Sequence, residues 1–132
     1  VQLARGVERL GAGELLVNSI DRDGSHAGFD VQLVDLVRSS VSIPVVASSG
    51  AGCADHFCEV FAPRPGAQGA PIEAALAAGI FHREQVSIAS VKADVQALGI
   101  LCDMHSFAEV ASMANSKCDF IGANPKHNNN LN

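Results

Sequence analysis

Three short stretches of the chain carry residues able to do chemistry: Asp21 to Ser25 (DRDGS), Ser48 to Gly52 (SSGAG) and Ala78 to Arg83 (AGIFHR). In the first, Asp21 and Asp23 stand two residues apart and suit proton transfer or the binding of a polar substrate, with surface carboxylates capping a turn as the plainer reading. In the second, Gly50 and Gly52 let the backbone approach an anion closely, a following helix aims unsatisfied N–H groups at it, and Ser48 and Ser49 add hydroxyls. The plainer reading there is an ordinary tight turn. The dinucleotide fingerprint G-x-G-x-x-G fails because Asp55 stands three residues beyond Gly52, so a single phosphate fits better than a pyrophosphate. In the third, Ala78 and Gly79 expose backbone N–H groups, while His82 and Arg83 follow as anion ligands or as the start of the next helix.

No metal ligand set emerges from these residues. An EF-hand loop starting at Asp21 fails, since His26 takes the sixth position, where glycine is needed, and Gln32 the twelfth, where glutamate is needed. Cys53, His56 and Cys58 lack the second matching pair that a zinc site requires. No cofactor is implied. The four cysteines, Cys53, Cys58, Cys102 and Cys118, are expected reduced, because nothing marks secretion and the apolar content needs no disulfide staple.

The elements that must position these stretches follow from pattern. The chain has 132 residues, 48% hydrophobic and 17% charged, with a formal charge of -5, which fits one globular domain and excludes a disordered chain. No apolar run reaches the ~20 residues of a membrane span. The scattered basic residues and negative balance argue against nucleic-acid binding. Leu3, Val7 and Leu10 recur at helical spacing before Gly11. Glu14 to Ile20 is a short apolar strand with unusually polar Asn18 and Ser19, and Asp30 caps a helix whose Leu33, Val34 and Val37 share a face. Val45 to Ala47 is the next strand, followed by a helix over Asp55 to Phe61.

Pro63 to Pro71 is an exposed loop. Glu73 to Ala78 (EAALAA) is helical on propensity alone, but the alternation makes it a strand ahead of a helix from Ser87 with Ile88, Val91, Val95 and Leu98 on one stripe. Strands alternating with helices imply a parallel sheet with right-handed crossovers and two open edges. Since a closed (β/α)8 barrel takes about 250 residues, and the chain opens on Val1 inside a helix, the expectation is part of a barrel over residues 1–101. Residues 102–132 form an atypical tail, with a Ser106/Glu109 capping box, a possible strand over Cys118 to Ala123 and a disordered end.

Two families share features with these motifs. An apolar strand followed by D-x-D-G-S resembles the haloacid-dehalogenase type phosphatases, in which Asp21 would be the nucleophile and Asp23 the acid. Their later paired acidic motif for Mg²⁺ is absent. The three stretches GAGELLVNSIDRDGSHAGFD, IPVVASSGAGCADHFCEVF and AALAAGIFHR, in this order and spacing, resemble the last three βα units of the cyclase of imidazole glycerol phosphate synthase, in wording closest to the eukaryotic bifunctional form.

That resemblance implies the C-terminal portion of a (β/α)8 barrel in histidine biosynthesis. The cyclase takes ammonia from a glutamine amidotransferase and converts a bis-phosphorylated ribonucleotide to imidazole glycerol phosphate. By matching positions, Ser49, Gly50, Ala78 and Gly79 would hold one phosphate with Ser48 alongside. Asp21, Asp23 and Gly24 would lie near the substrate's middle, Asp23 as an auxiliary acid–base or positioning group. The family's two principal catalytic aspartates lie on its first and fifth strands, ahead of the matched stretches. The missing barrel half and the amidotransferase are thus the implied partners, a noncatalytic phosphate-binding half-barrel is an alternative, and the compartment is the cytoplasm, or a plastid in a plant or alga.

Overall fold

A computed structural model describes residues 1–64, 72–102 and 119–122. Residues 65–71 of the expected Pro63 to Pro71 loop, the Ser106/Glu109 helix, Cys118 and residues 123–132 lie outside them. Helix α1 (Gln2–Arg9) leads to strand β1 (Leu15–Asn18), α2 (Val31–Arg38), β2 (Val45–Ser48) and α3 (Ala54–Phe61). Then follow β3 (Ala74–Ala77), a single turn α4 (Gly79–His82), α5 (Ile88–Ala97) and β4 (Asp119–Gly122). The sheet order is β1-β2-β3-β4. The first three strands are parallel, with Val17 opposite Ala47 and Ala47 opposite Ala75. β4 runs antiparallel to β3, Ala75 facing Ile121.

β2 is the centre of the sheet, and all four of its residues are buried. This is why it is a continuous apolar run and not an alternating one. β1 alternates half-buried and exposed residues as an edge does, leaving Leu16 in solvent. The outer edge of β3, expected open, is occupied by β4, whereas β1 keeps its outer edge free of strands among the described residues. Val34, Val37, Phe57, Val60, Phe61, Val91 and Val95 bring α2, α3 and α5 onto the sheet. Side-chain oxygens begin two of these helices: Asp30 Oδ1 accepts from Leu33 N at 3.0 Å, and Ser87 Oγ from Ser90 N at 3.0 Å. After α3, Arg64 anchors the chain on α2, donating to both Asp35 carboxylate oxygens, with Nε 2.8 Å from Oδ2.

Helix α1 forms where the spacing put it, but its stripe is not a core face. Leu3 is 79% exposed and Leu10 89%, and no residue of α1 is buried. Val1, Leu3, Ala4 and Val7 instead line an apolar groove of about 270 Å³ against Leu15, Leu16 and Val17 of the β1 edge.

The Glu8 carboxylate reaches from α1 to the chain ahead of β2, accepting from Ser42 N at 2.7 Å, Ser42 Oγ at 2.6 Å and Ile43 N at 3.2 Å. These bonds, that from the Ser42 hydroxyl foremost, hold its carboxyl below the ordinary value of 4.5. A lowered folded-state pKa gives stability that is present above the unfolded value and lost as acid protonates the folded carboxylate. The thermal midpoint of Glu8→Gln should therefore fall below wild type at neutral pH. The gap should close as pH drops below 4.5, and a gap independent of pH would show that the carboxylate bonds do not stabilise the fold.

Candidate functional site

The carboxyl ends of β1, β2 and β3 open on one side of the sheet, where parallel α/β folds place ligand sites. There they enclose a cleft of about 420 Å³, within the size of small-molecule sites. Its lining brings together Asp23, Gly24, Ser48, Ser49, Gly50, Ala78 and Gly79, seven of the eight residues selected from the sequence. Asp21 is exposed and stands outside the lining, one residue before half-buried Arg22. His82 ends α4, is exposed and is also outside. Asn18, His26 and Arg83 complete the polar lining.

Each wall has a local cause. Asn18, at the last position of β1, accepts at Oδ1 from Ser48 Oγ at 3.2 Å and from Ser49 Oγ at 2.5 Å. Both serine protons are thereby committed to Asn18, and each hydroxyl keeps only acceptor capacity toward the cleft. Ser49 sits at φ 77°, a conformation unfavourable for a residue with a Cβ. The short bond to Asn18 offsets part of that strain. The next residue, Gly50, has φ 94°, and its carbonyl accepts from Gly28 N at 2.8 Å, which ties the loop after β2 to the loop after β1.

The loop after β1 closes on itself. Ser25 Oγ donates to Arg22 O at 2.8 Å, and Arg22 Nη1 donates to Ala27 O at 3.1 Å. These bonds fix the stretch that carries Asp23 and Gly24. Below it, Ser19 Oγ donates to Asp30 Oδ2 at 3.1 Å, so one carboxylate both caps α2 and holds the end of β1. Gly52 N donates to His56 Nδ1 at 3.0 Å, so that N–H is spent within the turn and is not turned to a ligand. His56 is therefore a turn-stabilising side chain, and among the described residues no cluster of three metal-ligating side chains forms.

The electrostatics of the cleft are simple. Among the described residues, Arg83 is the one arginine or lysine in the lining and Asp23 the one carboxylate. Arg83 follows α4, and its guanidinium lies over Gly79, where a Cβ would stand 2.8 Å from Nη2. Nη2 also lies 3.0 Å from His26 Nε2 of the loop after β1. Neither Asn18 nor His26 was selected from the sequence. A polar residue closing an otherwise apolar strand is the signal that marks Asn18, whereas nothing in the sequence pairs His26 with a residue 57 positions away.

Comparison with known proteins gives the family. The family model described as histidine biosynthesis protein matches residues 1–87. The chain is 57% identical over 95 residues to the chloroplastic imidazole glycerol phosphate synthase hisHF of Arabidopsis thaliana, an alignment covering 72% of this chain and 15% of that protein. It is 54% identical over 92 residues to hisHF of Schizosaccharomyces pombe, covering 70% and 16%. With the imidazole glycerol phosphate synthase subunit HisF of Lysinibacillus sphaericus it shares 47% identity over 100 residues, covering 76% and 38%. The aligned part thus spans about a sixth of the two hisHF proteins and under two fifths of that subunit. The chain belongs to the histidine biosynthesis protein family, and within it to the cyclase of imidazole glycerol phosphate synthase.

Proposed function

We propose that residues 1–101 are the C-terminal portion of a (β/α)8 cyclase barrel and that their cleft binds one phosphate of a bis-phosphorylated ribonucleotide. The observation that carries this reading is the convergence of three separate strand ends on one cleft lined by small residues, with a single guanidinium at its rim. Small residues at Gly50 and Ala78 leave the backbone accessible, and the Arg83 guanidinium, which covers Gly79, suits the paired oxygens of a phosphate. Asp23 faces the same cleft and takes the auxiliary acid–base or positioning role, with Gly24 beside it. Asp21 contributes from outside the lining, through the loop that carries Asp23. The principal acid–base aspartates belong to the barrel strands beyond these residues, so cyclisation with ammonia needs those strands and a glutamine amidotransferase.

One feature of the sheet supports a larger parent barrel, and a second has to change for such a barrel to close. The β1 edge, unpaired among the described residues, lies beside an exposed apolar groove, as expected where further strands and helices pack. β4, from the 102–132 tail, covers β3 in the antiparallel sense, whereas a closed (β/α)8 barrel needs a parallel neighbour there. Closure through β3 therefore requires the tail strand to leave. The phosphatase alternative draws no support, since Asp21 lies outside the cleft that its nucleophile would have to enter. No helix among the described residues is long and apolar enough to cross a membrane, and the chloroplastic relative makes a plastid one of two compartments to test, the cytoplasm being the other.

The test uses the 132-residue chain with inorganic phosphate and, separately, with the bis-phosphorylated substrate and ammonium. Phosphate should shift the amide resonances of Gly50 and Gly79, while imidazole glycerol phosphate forms no faster than with the Asp23→Asn variant. Unmoved amides would overturn the phosphate cleft. Turnover above the variant would overturn the placement of the principal acid–base groups elsewhere.

A further inference from the structure

Arg83 and His26 come from elements far apart in sequence, and their contact closes one side of the cleft mouth. A guanidinium has five N–H donors and no acceptor. In the 3.0 Å contact with Arg83 Nη2, His26 Nε2 is therefore the accepting atom. The ring thus holds the arginine without neutralising it, as a carboxylate would. Arg83 keeps its full positive charge and the rest of its donor fork for an incoming anion.

Both partners are seated on glycines. Any Cβ at Gly52 would collide with the His26 carbonyl oxygen and stand 2.9 Å from His26 Cβ, so the backbone of His26 rests directly on the turn after β2. A Cβ at Gly79 would stand 2.8 Å from Arg83 Nη2 and 3.1 Å from Nη1, so the guanidinium rests against Gly79. Arg83 Nε also donates to Gln85 Oε1 at 3.3 Å. Three strand-end segments are linked in this way through two side chains: His26 after β1, Gly52 after β2, and Gly79 with Arg83 after β3.

We infer that Arg83 is a phosphate-binding side chain of this cleft and that His26 is its positioning residue, which together select a phosphomonoester dianion at the cleft mouth. The inference rests on the phosphate reading of the cleft, names Arg83 as the side chain that grips the phosphate, and adds His26 as the residue that holds it in place. A long, exposed arginine loses rotamer freedom when it binds, and a neutral acceptor that holds it in place beforehand lowers that cost. A bidentate guanidinium then contributes two charge-assisted hydrogen bonds to one phosphate.

The experiment is a titration of the full 132-residue chain with inorganic phosphate, followed by the amide resonances of Gly50 and Gly79, in wild type and four variants. Arg83→Gln should weaken binding at least about tenfold, and Arg83→Lys by less, because lysine keeps the charge but not the fork. His26→Ala should weaken it about three- to fivefold, the size of one modest hydrogen bond. His26→Gln, whose side-chain carbonyl can accept from Arg83, should recover most of that loss. Both side chains are exposed, so unfolding midpoints should stay near wild type and report folding separately. Wild-type affinity in Arg83→Gln, or equal weakening in His26→Ala and His26→Gln, would overturn the inference while leaving the phosphate cleft standing. Absence of binding by the wild-type chain would overturn both.

Discussion

Replacing Phe57 with alanine should lower the unfolding free energy by about 3–5 kcal/mol. Phe57 is 0% exposed at the middle of α3. Its ring meets Phe29 edge-on, with centroids 5.2 Å apart at 80°, and Phe81 at 6.1 Å in a tilted pair. Phe29 belongs to the loop after β1 and Phe81 to α4, so one side chain holds three segments that shape the cleft. Deleting it loses the transfer energy of a large ring and leaves a cavity that the flanking parallel strands cannot readily collapse to fill. Two aromatic pairs go with it, each about 0.5–1.5 kcal/mol beyond the buried area. Against the roughly 5–15 kcal/mol that stabilises a typical domain, this is a large fraction. Urea unfolding should show a lower midpoint with an unchanged slope, and phosphate affinity should fall as well, since Phe29 adjoins the Gly28 that bonds to Gly50. Leu3→Ala, on an exposed helix face, should stay within about 0.5 kcal/mol of wild type. A Phe57→Ala loss of that same small size would show that the three-segment cluster does not hold the fold.

Periodicity made the parallel core legible because burial in this sheet is decided locally. The stripe in α5 follows Val91 and Val95 onto the sheet, and the apolar run at Val45 to Ala47 becomes the central strand. Glu73 to Ala78 shows propensity losing to context. Alanines that favour a helix in isolation form β3 because the neighbouring strand offers a ladder and little room for larger side chains. The single turn α4 was not expected, since four residues are too few to show a period. A strand near residue 120 was expected, but alternation carries no direction, so its antiparallel pairing and the covered β3 edge were not.

The site was legible to a similar depth. Glycine and serine types mark the loops at the strand ends, and seven of the eight residues picked out in the sequence line one cleft. What the sequence lacks is the long-range pairing: Asn18 beneath two serines, and His26 with Arg83. Such contacts depend on the crossover geometry that brings the strand ends side by side, and no local pattern encodes a partner 30 or 57 positions away.

Gly50→Ala and Gly24→Ala should separate close packing from backbone conformation at this site. Both glycines occupy the left-handed region, Gly50 at φ 94° and Gly24 at φ 70°. An added Cβ at Gly24 meets nothing within 4 Å, so that variant should lose only the conformational term of about 1–2 kcal/mol. At Gly50 the same atom collides with the Gly28 carbonyl oxygen and stands 3.0 Å from Arg22 Cβ. Relief requires the loop after β1 to move away, which breaks the Gly28 N to Gly50 O bond, a further cost of about 0.5–1.5 kcal/mol, and separates the two walls of the cleft. Gly50→Ala should therefore be the less stable variant, and its affinity for inorganic phosphate should drop by at least about tenfold. Equal destabilisation of the two variants, with phosphate affinity retained in Gly50→Ala, would mean that the approach of these loops neither supports the fold nor shapes the cleft. The expected order follows chiefly from space, and the larger φ at Gly50 acts in the same direction.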